Sequence, residues 1–394
     1  MRLLMYSQDG MGLGHLRRTH NIAREILARQ PNATILVVAD SPVAPFFTPI
    51  PGMTFLKLQT IVKVGAGEWR SGNQTLSIGE AVEQRGQQIV DAFREFQPDV
   101  ITVDHMPLGA LGELKPLLDT ASSQKNPPRL VLGLRDVLDT PATIRGAWDD
   151  LGAYDYLERY DSVLIYGCKD VYDAEAAYDL KPQARDVTYC NYVAPRRNGQ
   201  PAPEQEDKPF VLVMGGGGAD AFPLAKAFLD AVPSILKSVP LNALIISGPN
   251  MPPEDRQKLI DQAAGQPVQV ETSVEDPTAL LRRATVVLTM GGYNSLVEVL
   301  QWGKKALVVP RSAPSAEQQL RSRLFADRGL VRMLEPEQLS PAKLCDALLA
   351  LLKDDAVPLA SKVPPLDGAR RAAALLLQDG ALDAVPQEKL AVPN

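Results

Sequence analysis

Two kinds of hydrophobic pattern alternate along this chain. Short, nearly continuous runs rich in Val, Ile and Leu read as buried strands: Arg2 to Ser7, Thr34 to Ala39, Val100 to Val103, Arg129 to Leu134 and Ser162 to Tyr166. Between them lie longer stretches with apolar positions on one helical face. Examples are Leu16 to Gln30, where Ile22, Ala23, Ile26 and Leu27 share a face, and Ser77 to Phe96. Continuous apolar strands separated by amphipathic helices predict a parallel sheet covered on both faces. The rhythm stops at Ala194 to Pro209, APRRNGQPAPEQEDKP, which has four prolines and no apolar periodicity and reads as a linker. It restarts with a strand at Phe210 to Met214, a helix at Ala219 to Leu236, and strands at Ala243 to Ser247, Val268 to Glu271, Val286 to Thr289 and Ala306 to Val309. The prediction is an α/β chain with two doubly wound domains, residues 1–193 and 209–353, joined by the linker 194–208. A Pro- and Ala-rich tail, 354–394, follows; Gly368 to Gln378 suits one helix, and the last residues read as poorly ordered.

Composition fits this picture. A chain of 394 residues with 45% apolar and 22% charged residues has material for two cores. The net charge of -6 argues against a general nucleic-acid binder. Arg17-Arg18 and Arg196-Arg197 are the local basic pairs, and each reads as solvated surface. The three cysteines, Cys168, Cys190 and Cys345, are scattered and odd in number, which excludes a disulfide framework or a zinc-ligand spacing and fits a reducing cytoplasm. The amino terminus is too short in its apolar part for a secretion signal, and no apolar run approaches the ~20 residues that span a bilayer. Peripheral membrane contact stays compatible with the sequence, and the oligomeric state is open.

The candidate chemistry gathers at turns that follow strands. Gly10, Gly12 and Gly14 follow the first strand and precede a helix, an anion-friendly arrangement. A dinucleotide fingerprint would need a third glycine where His15 stands, although Asp40 at the end of the second strand sits where a ribose-binding acid would lie. His15 at the mouth of this turn can accept a proton from a hydroxyl, or can cap the turn through the backbone. His20, one turn further on, reads as structural, and His105, just after a buried strand, lies at the same strand-end edge. The second domain opens with Gly215, Gly216, Gly217 and Gly218, whose bare backbone can approach a diphosphate or serve as a flexible turn. The most specific cluster is Thr289-Met290-Gly291-Gly292-Tyr293-Asn294-Ser295-Leu296-Val297-Glu298. In it Asn294 or Ser295 suits a helix N-cap, and Glu298 suits a bidentate acceptor for ribose hydroxyls. Val308-Val309-Pro310 and Glu317-Gln318-Gln319 follow.

Taken together, these residues resemble the MurG-like branch of the GT-B glycosyltransferases, family 28 in type, over Met1 to about residue 352 and most strongly from Val286 to Leu324. The resemblance implies two Rossmann-like domains facing across a cleft, with a nucleotide-diphosphate sugar, expected to be UDP-linked, as substrate and no resident cofactor. It implies that Glu298 holds the donor ribose, that Ser295 and the Gly291-Gly292 amides meet the diphosphate, and that Glu317 and Gln318 meet the transferred sugar. His15 would lie near the reaction centre, with Gly12, Gly14, His105 and Arg135 on the acceptor side. The chain departs from the family at Gly-Gly-Gly-Gly-Ala, where Gly-Gly-Ser-x-Gly is usual, and at Arg135-Asp136. Both departures bear on the acceptor, which the sequence does not identify.

The implied reaction displaces the nucleotide diphosphate from the anomeric carbon by an acceptor hydroxyl or amine. The base would be His15, Asp136 or His105. The sequence holds no Asp-X-Asp triplet, so a metal-independent site is expected. An inverting outcome follows from the resemblance alone. A sugar-nucleotide 2-epimerase, a non-catalytic nucleotide-sugar binder and a dinucleotide oxidoreductase remain as rivals that fold cannot separate.

Overall fold

The computed structural model describes residues 1–8, 14–40, 50–63, 68–181, 184–197, 207–274, 276–311, 313, 315–354 and 358–378. The chain divides into two units, Met1–Pro195 with a returning segment that begins at Pro364, and Arg196–Val363.

The first unit contains, in order, β1 (Arg2–Ser7), α1 (Gly14–Arg29), β2 (Thr34–Ala39), β3 (Met53–Lys57), β4 (Ile61–Lys63), β5 (Trp69–Ser71), α2 (Ile78–Phe96), β6 (Val100–Asp104), α3 (Lys115–Ser122), β7 (Arg129–Arg135), α4 (Pro141–Leu151), α5 (Tyr154–Leu157), β8 (Ser162–Tyr166), α6 (Ala174–Ala177) and β9 (Val187–Tyr189). Seven strands form one sheet in the order β3-β2-β1-β6-β7-β8-β9, and every pair in it is parallel. The order reverses between β1 and β6. Their carboxyl ends therefore open side by side into the crevice where ligands of doubly wound sheets bind. β3, β9 and the antiparallel β4–β5 pair were not predicted, because they are only three to five residues long and mix polar with apolar residues.

The second unit contains β10 (Phe210–Met214), α7 (Phe222–Leu236), β11 (Asn242–Ile246), α8 (Pro253–Ala263), β12 (Val268–Glu271), α9 (Thr278–Arg283), β13 (Val286–Thr289), α10 (Tyr293–Gln301), β14 (Lys305–Val308), α11 (Glu317–Asp327), β15 (Arg332–Met333) and α12 (Pro341–Lys353). Its six strands run β12-β11-β10-β13-β14-β15, again all parallel, with the reversal between β10 and β13. Each sheet carries its own buried core. One is centred on Leu4, Ile101, Leu132 and Ile165, the other on Val211, Val213, Leu288 and Leu307.

The tail helix, α13 (Gly368–Leu377), belongs to the first unit, where it packs along α1. Asp367 accepts from Asn191 Nδ2 at 2.7 Å, and Gly368 N–H donates to Tyr192 O at 2.9 Å. Gly368 lies so close to this segment that a Cβ there would sit 2.5 Å from Asn191 O. Residues 379–394, expected to be poorly ordered, and most of the linker lie outside the described residues. Among the described residues no helix is long and apolar enough to cross a membrane.

Candidate functional site

In the first unit the reversal point brings four charged or ionisable side chains together. His15 stands in the first turn of α1, and Asp104 ends β6, the parallel neighbour of β1. His15 Nδ1 lies 2.6 Å from Asp104 Oδ2. Arg18, one turn along α1, donates through Nη2 to Asp104 Oδ1 at 2.5 Å and through Nε at 3.2 Å. Arg18 was read from the sequence as solvated surface. It is 1% exposed and stacks over the Tyr166 ring, because its i, i+3 spacing from His15 places it on the same helical face. His105 adopts φ +79, which turns its ring to 4.8 Å from that of His15.

The electrostatics follow from this packing. Burial alone would raise the Asp104 carboxyl, but Arg18 and then His15 outweigh it and hold it at about 2. Burial lowers the His15 pKa below its ordinary value; Asp104 opposes this, and Arg135 and Arg18 add to it. A neutral imidazole facing an ionised carboxylate must carry its proton on Nδ1, since two acceptors cannot face each other at this distance. Arg18 Nη2 also approaches Nδ1, at 3.1 Å, as a consequence of gripping the same carboxylate. Nε2 is therefore the basic nitrogen.

The other first-unit candidates are more scattered. Gly14 opens α1, whereas Gly10 and Gly12 lie outside the described residues. Arg135 ends β7 near enough to His15 to act on its charge. Asp136 is 1% exposed and packs under Gly167, where a Cβ would meet its Cβ at 2.7 Å. His20 is buried in α1. Asp40 does not stand ready for a ribose. Its Oδ2 accepts from Arg85 at 2.9 Å, and Arg85 also donates to Glu113 at 2.9 Å and to the Tyr6 hydroxyl at 3.2 Å. This buried quartet ties β1, β2, α2 and the loop before α3 together, which removes the acid that a dinucleotide reading needs. Burial raises the Asp40 carboxyl to about 6 against the pull of Arg85.

In the second unit both glycine turns leave the carboxyl ends of neighbouring strands, since Met214 of β10 pairs with Thr289 of β13. The run Gly215 to Gly218 is shaped mainly by its own surroundings. A Cβ on Gly215 would lie 2.7 Å from Ala221 Cβ, and one on Gly218, at φ +95, would lie 2.5 Å from Ser247 O. Gly216, at φ +59, faces open space. Helix α7 starts at Phe222, later than the Ala219 start read from the sequence, because residues 215–218 close a turn against the loop after β11 first.

The turn at Gly291 and Gly292 is tighter. Gly291 has φ +81, and a Cβ there would sit 2.4 Å from Ser322 Oγ of α11. Gly292 is the N-cap of α10 and supplies no side-chain cap, so neither Asn294 nor Ser295 holds that place; both are half-buried in the first turn. A helix amino terminus without a side-chain cap, approached by bare glycine backbone, favours an anion. Glu298 lies in the second turn of α10 and is 2% exposed. The Glu-Gln-Gln run diverges. Glu317 accepts from Arg321 Nη1 at 2.7 Å, Gln318 Oε1 accepts from Arg311 N–H at 3.3 Å, and Gln319 donates to Glu335 at 3.0 Å. Arg321 in turn lies over the Tyr293 ring and couples α11 to α10. Sequence reading missed Asp104 and Arg18. The one available signal was Asp104, standing between a buried strand and a histidine.

Comparison with known proteins places these features. Residues 210–373 match the glycosyltransferase family 28 C-terminal domain, from β10 into α13. The chain is 26% identical over 153 residues to the UDP-N-acetylglucosamine--N-acetylmuramyl-(pentapeptide) pyrophosphoryl-undecaprenol N-acetylglucosamine transferase of Lactococcus lactis subsp. cremoris (strain MG1363), covering 38% of this chain and 42% of that protein. It is 29% identical over 147 residues to the protein of the same name from Acinetobacter baylyi, covering 37% of this chain and 40% of that protein. The chain thus spans about two fifths of the length of the curated relatives it matches. Solved structures extend the likeness of fold to nearly the whole chain. The kitacinnamycin glycotransferase superposes with a TM-score of 0.63 at 17% identity, covering 97% of each chain. Acinetobacter baumannii MurG superposes with a TM-score of 0.54 at 15% identity, covering 99% of this chain and 96% of that one. With two doubly wound parallel sheets the chain has the GT-B fold of these solved structures, and residues 210–373 are similar to the C-terminal domain of glycosyltransferase family 28.

Proposed function

We propose that this chain transfers a sugar from a nucleotide-diphosphate sugar to an acceptor hydroxyl or amine, with donor groups in the second unit and acceptor groups in the first. One observation carries the reading: the family match at residues 210–373 spans both glycine turns at the reversal point of the second sheet. In this reading the Gly215–Gly218 and Gly291–Gly292 backbones and the start of α10, with Ser295, stabilise the charge that the leaving diphosphate gains. Glu298 accepts the ribose hydroxyls, and Gln318 and Glu317 line the sugar. The curated relatives' names specify a UDP-linked sugar, which makes UDP-N-acetylglucosamine the first donor to test.

His15 Nε2 takes the acceptor proton as the new bond to the anomeric carbon forms and the bond to the phosphate oxygen breaks. Asp104 holds the tautomer and stabilises the imidazolium that results. Asp136 is the alternative base, and His105, Arg135 and the amino end of α1 at Gly14 orient the acceptor. A single displacement of this kind inverts the anomeric centre. The mechanism assigns no step to a metal, so activity is expected to persist in EDTA. The test is release of nucleoside diphosphate from a panel of nucleotide sugars, with the sugar product read by NMR. Release that depends on an added acceptor supports transfer; an epimerised free sugar without acceptor, or donor binding with no turnover, overturns it.

A further inference from the structure

The ion pair between Arg311 and Asp220 crosses the donor-side turns without belonging to either. Asp220 follows the glycine run after β10, and Arg311 follows β14. Strand β13 lies between β10 and β14 in the sheet. The 2.9 Å contact from Arg311 Nη1 to Asp220 Oδ2 therefore passes over the end of β13, where Gly291 and Gly292 lead into α10. The two side chains are 31% and 39% exposed, a setting in which ion pairs contribute little and exchange easily. Arg311 Nε is buried with no hydrogen-bond partner among the described residues. Its own backbone N–H is fixed by Gln318 Oε1. The guanidinium is thus anchored at its root but held at its tip by one carboxylate, with part of its donor fork unused.

We propose that Asp220 is a resident stand-in for phosphate: it occupies Arg311 until the second phosphate of a nucleotide diphosphate displaces it. A phosphate offers the planar fork a bidentate acceptor of higher charge than a carboxylate, so the exchange is downhill for Arg311. A monophosphate presents one anionic group, which the glycine-lined start of α10 satisfies, and leaves Arg311 on Asp220. The pair therefore selects diphosphates over monophosphates, and Asp220 sets how much of that selectivity appears as affinity. The inference rests on the donor reading above and adds to it a residue pair that the family pattern does not supply.

Titration calorimetry with UDP and UMP on the full chain tests it, with GDP, ADP and dTDP as further diphosphates. Arg311→Gln is expected to weaken diphosphate binding by about tenfold or more and monophosphate binding by less than about threefold. Asp220→Asn, which removes the competing charge and leaves Arg311 in place, is expected to tighten diphosphate binding several-fold. Unliganded melting curves identify a variant that fails to fold, and Asp220→Asn then decides alone. Equal UDP affinity in Arg311→Gln and the parent, or weaker UDP binding in Asp220→Asn, overturns the proposal while the donor reading stands. Failure of the parent to bind any of the four diphosphates overturns both.

Discussion

Asp104 determines what His15 can do. With its carboxyl held at about 2, Asp104 is ionised throughout the range in which a histidine titrates, and His15, lowered below its ordinary 6.5, is neutral at pH 7 with Nε2 basic. For an enzyme using this base, the acid limb of kcat/KM against pH is expected below 6.5. Asp104→Asn removes the charge that raises the His15 pKa, so its limb moves lower still while the rate falls by about 10²-fold or more. A limb unchanged in position and height would exclude the pair from the chemistry. Stability carries a separate signature at Asp40. Its folded pKa of about 6 lies above the unfolded 3.8, so the folded state binds more protons between those values, and this group's contribution falls as pH rises from 4 to 6. Asp40→Asn has no such titration. The unfolding free energy of Asp40→Asn relative to the parent, from urea titrations, is therefore expected to improve across that window by about 2–3 kcal/mol in all. Asp104 behaves oppositely: its folded value lies below the unfolded one, so its stabilisation is present above pH 4 and is lost as pH falls towards 2. The partners in both clusters come from segments tens of residues apart, so no local pattern in the sequence announced Arg18 or Arg85 as buried cations.

Among the elements, the turns carry information that the strands do not. Strands β1, β2, β8, β10 and β13 have the limits their apolar runs predict, because a strand buried on both faces needs nothing but continuity of Val, Ile and Leu. Turn glycines are ambiguous in sequence, since a positive φ, a close backbone approach and a ligand contact all call for the same residue. The run after β10 separates these causes. Gly218 combines φ +95 with a Cβ position 2.5 Å from Ser247 O, whereas Gly216 has φ +59 and open space around it. Gly218→Ala is expected to cost about 2–4 kcal/mol and Gly216→Ala about 1 kcal/mol, measured by urea unfolding. Near-equal losses would show that the loop after β11 gives way. Helix starts were displaced for a related reason. Ser77 caps α2 with a complete capping box and could be read from its spacing to Glu80, whereas α10 begins at Gly292, which makes no side-chain cap and leaves no such spacing to read.

For the whole chain, the first unit is not closed by its own continuous segment. Helix α13 returns to pack along α1, Arg129 donates to the α13 carbonyls of Leu375 and Leu376, and Gly368 fits against Asn191 and Tyr192. Gly368→Ala is expected to destabilise the first unit by about 1–3 kcal/mol, because the opposing atoms are backbone and cannot swing aside. Limited proteolysis and the fluorescence of Trp148, fully buried in that unit, would report it. A variant with the parent's protection would mean that α13 docks without this close approach.

The sequence by itself determined the fold class and the two rounds of strand and helix, since these depend on local apolar periodicity that every short segment carries. It also marked which strand ends bear glycine, histidine and acid. Only the tertiary structure decided the pairings: Asp104 with His15 and Arg18, Asp40 with Arg85 rather than a ligand, Arg311 with Asp220 across β13, and α13 with the first unit. Each joins segments whose separation along the chain says nothing about their separation in space, and burial then fixes which charges are neutralised and which nitrogen is basic.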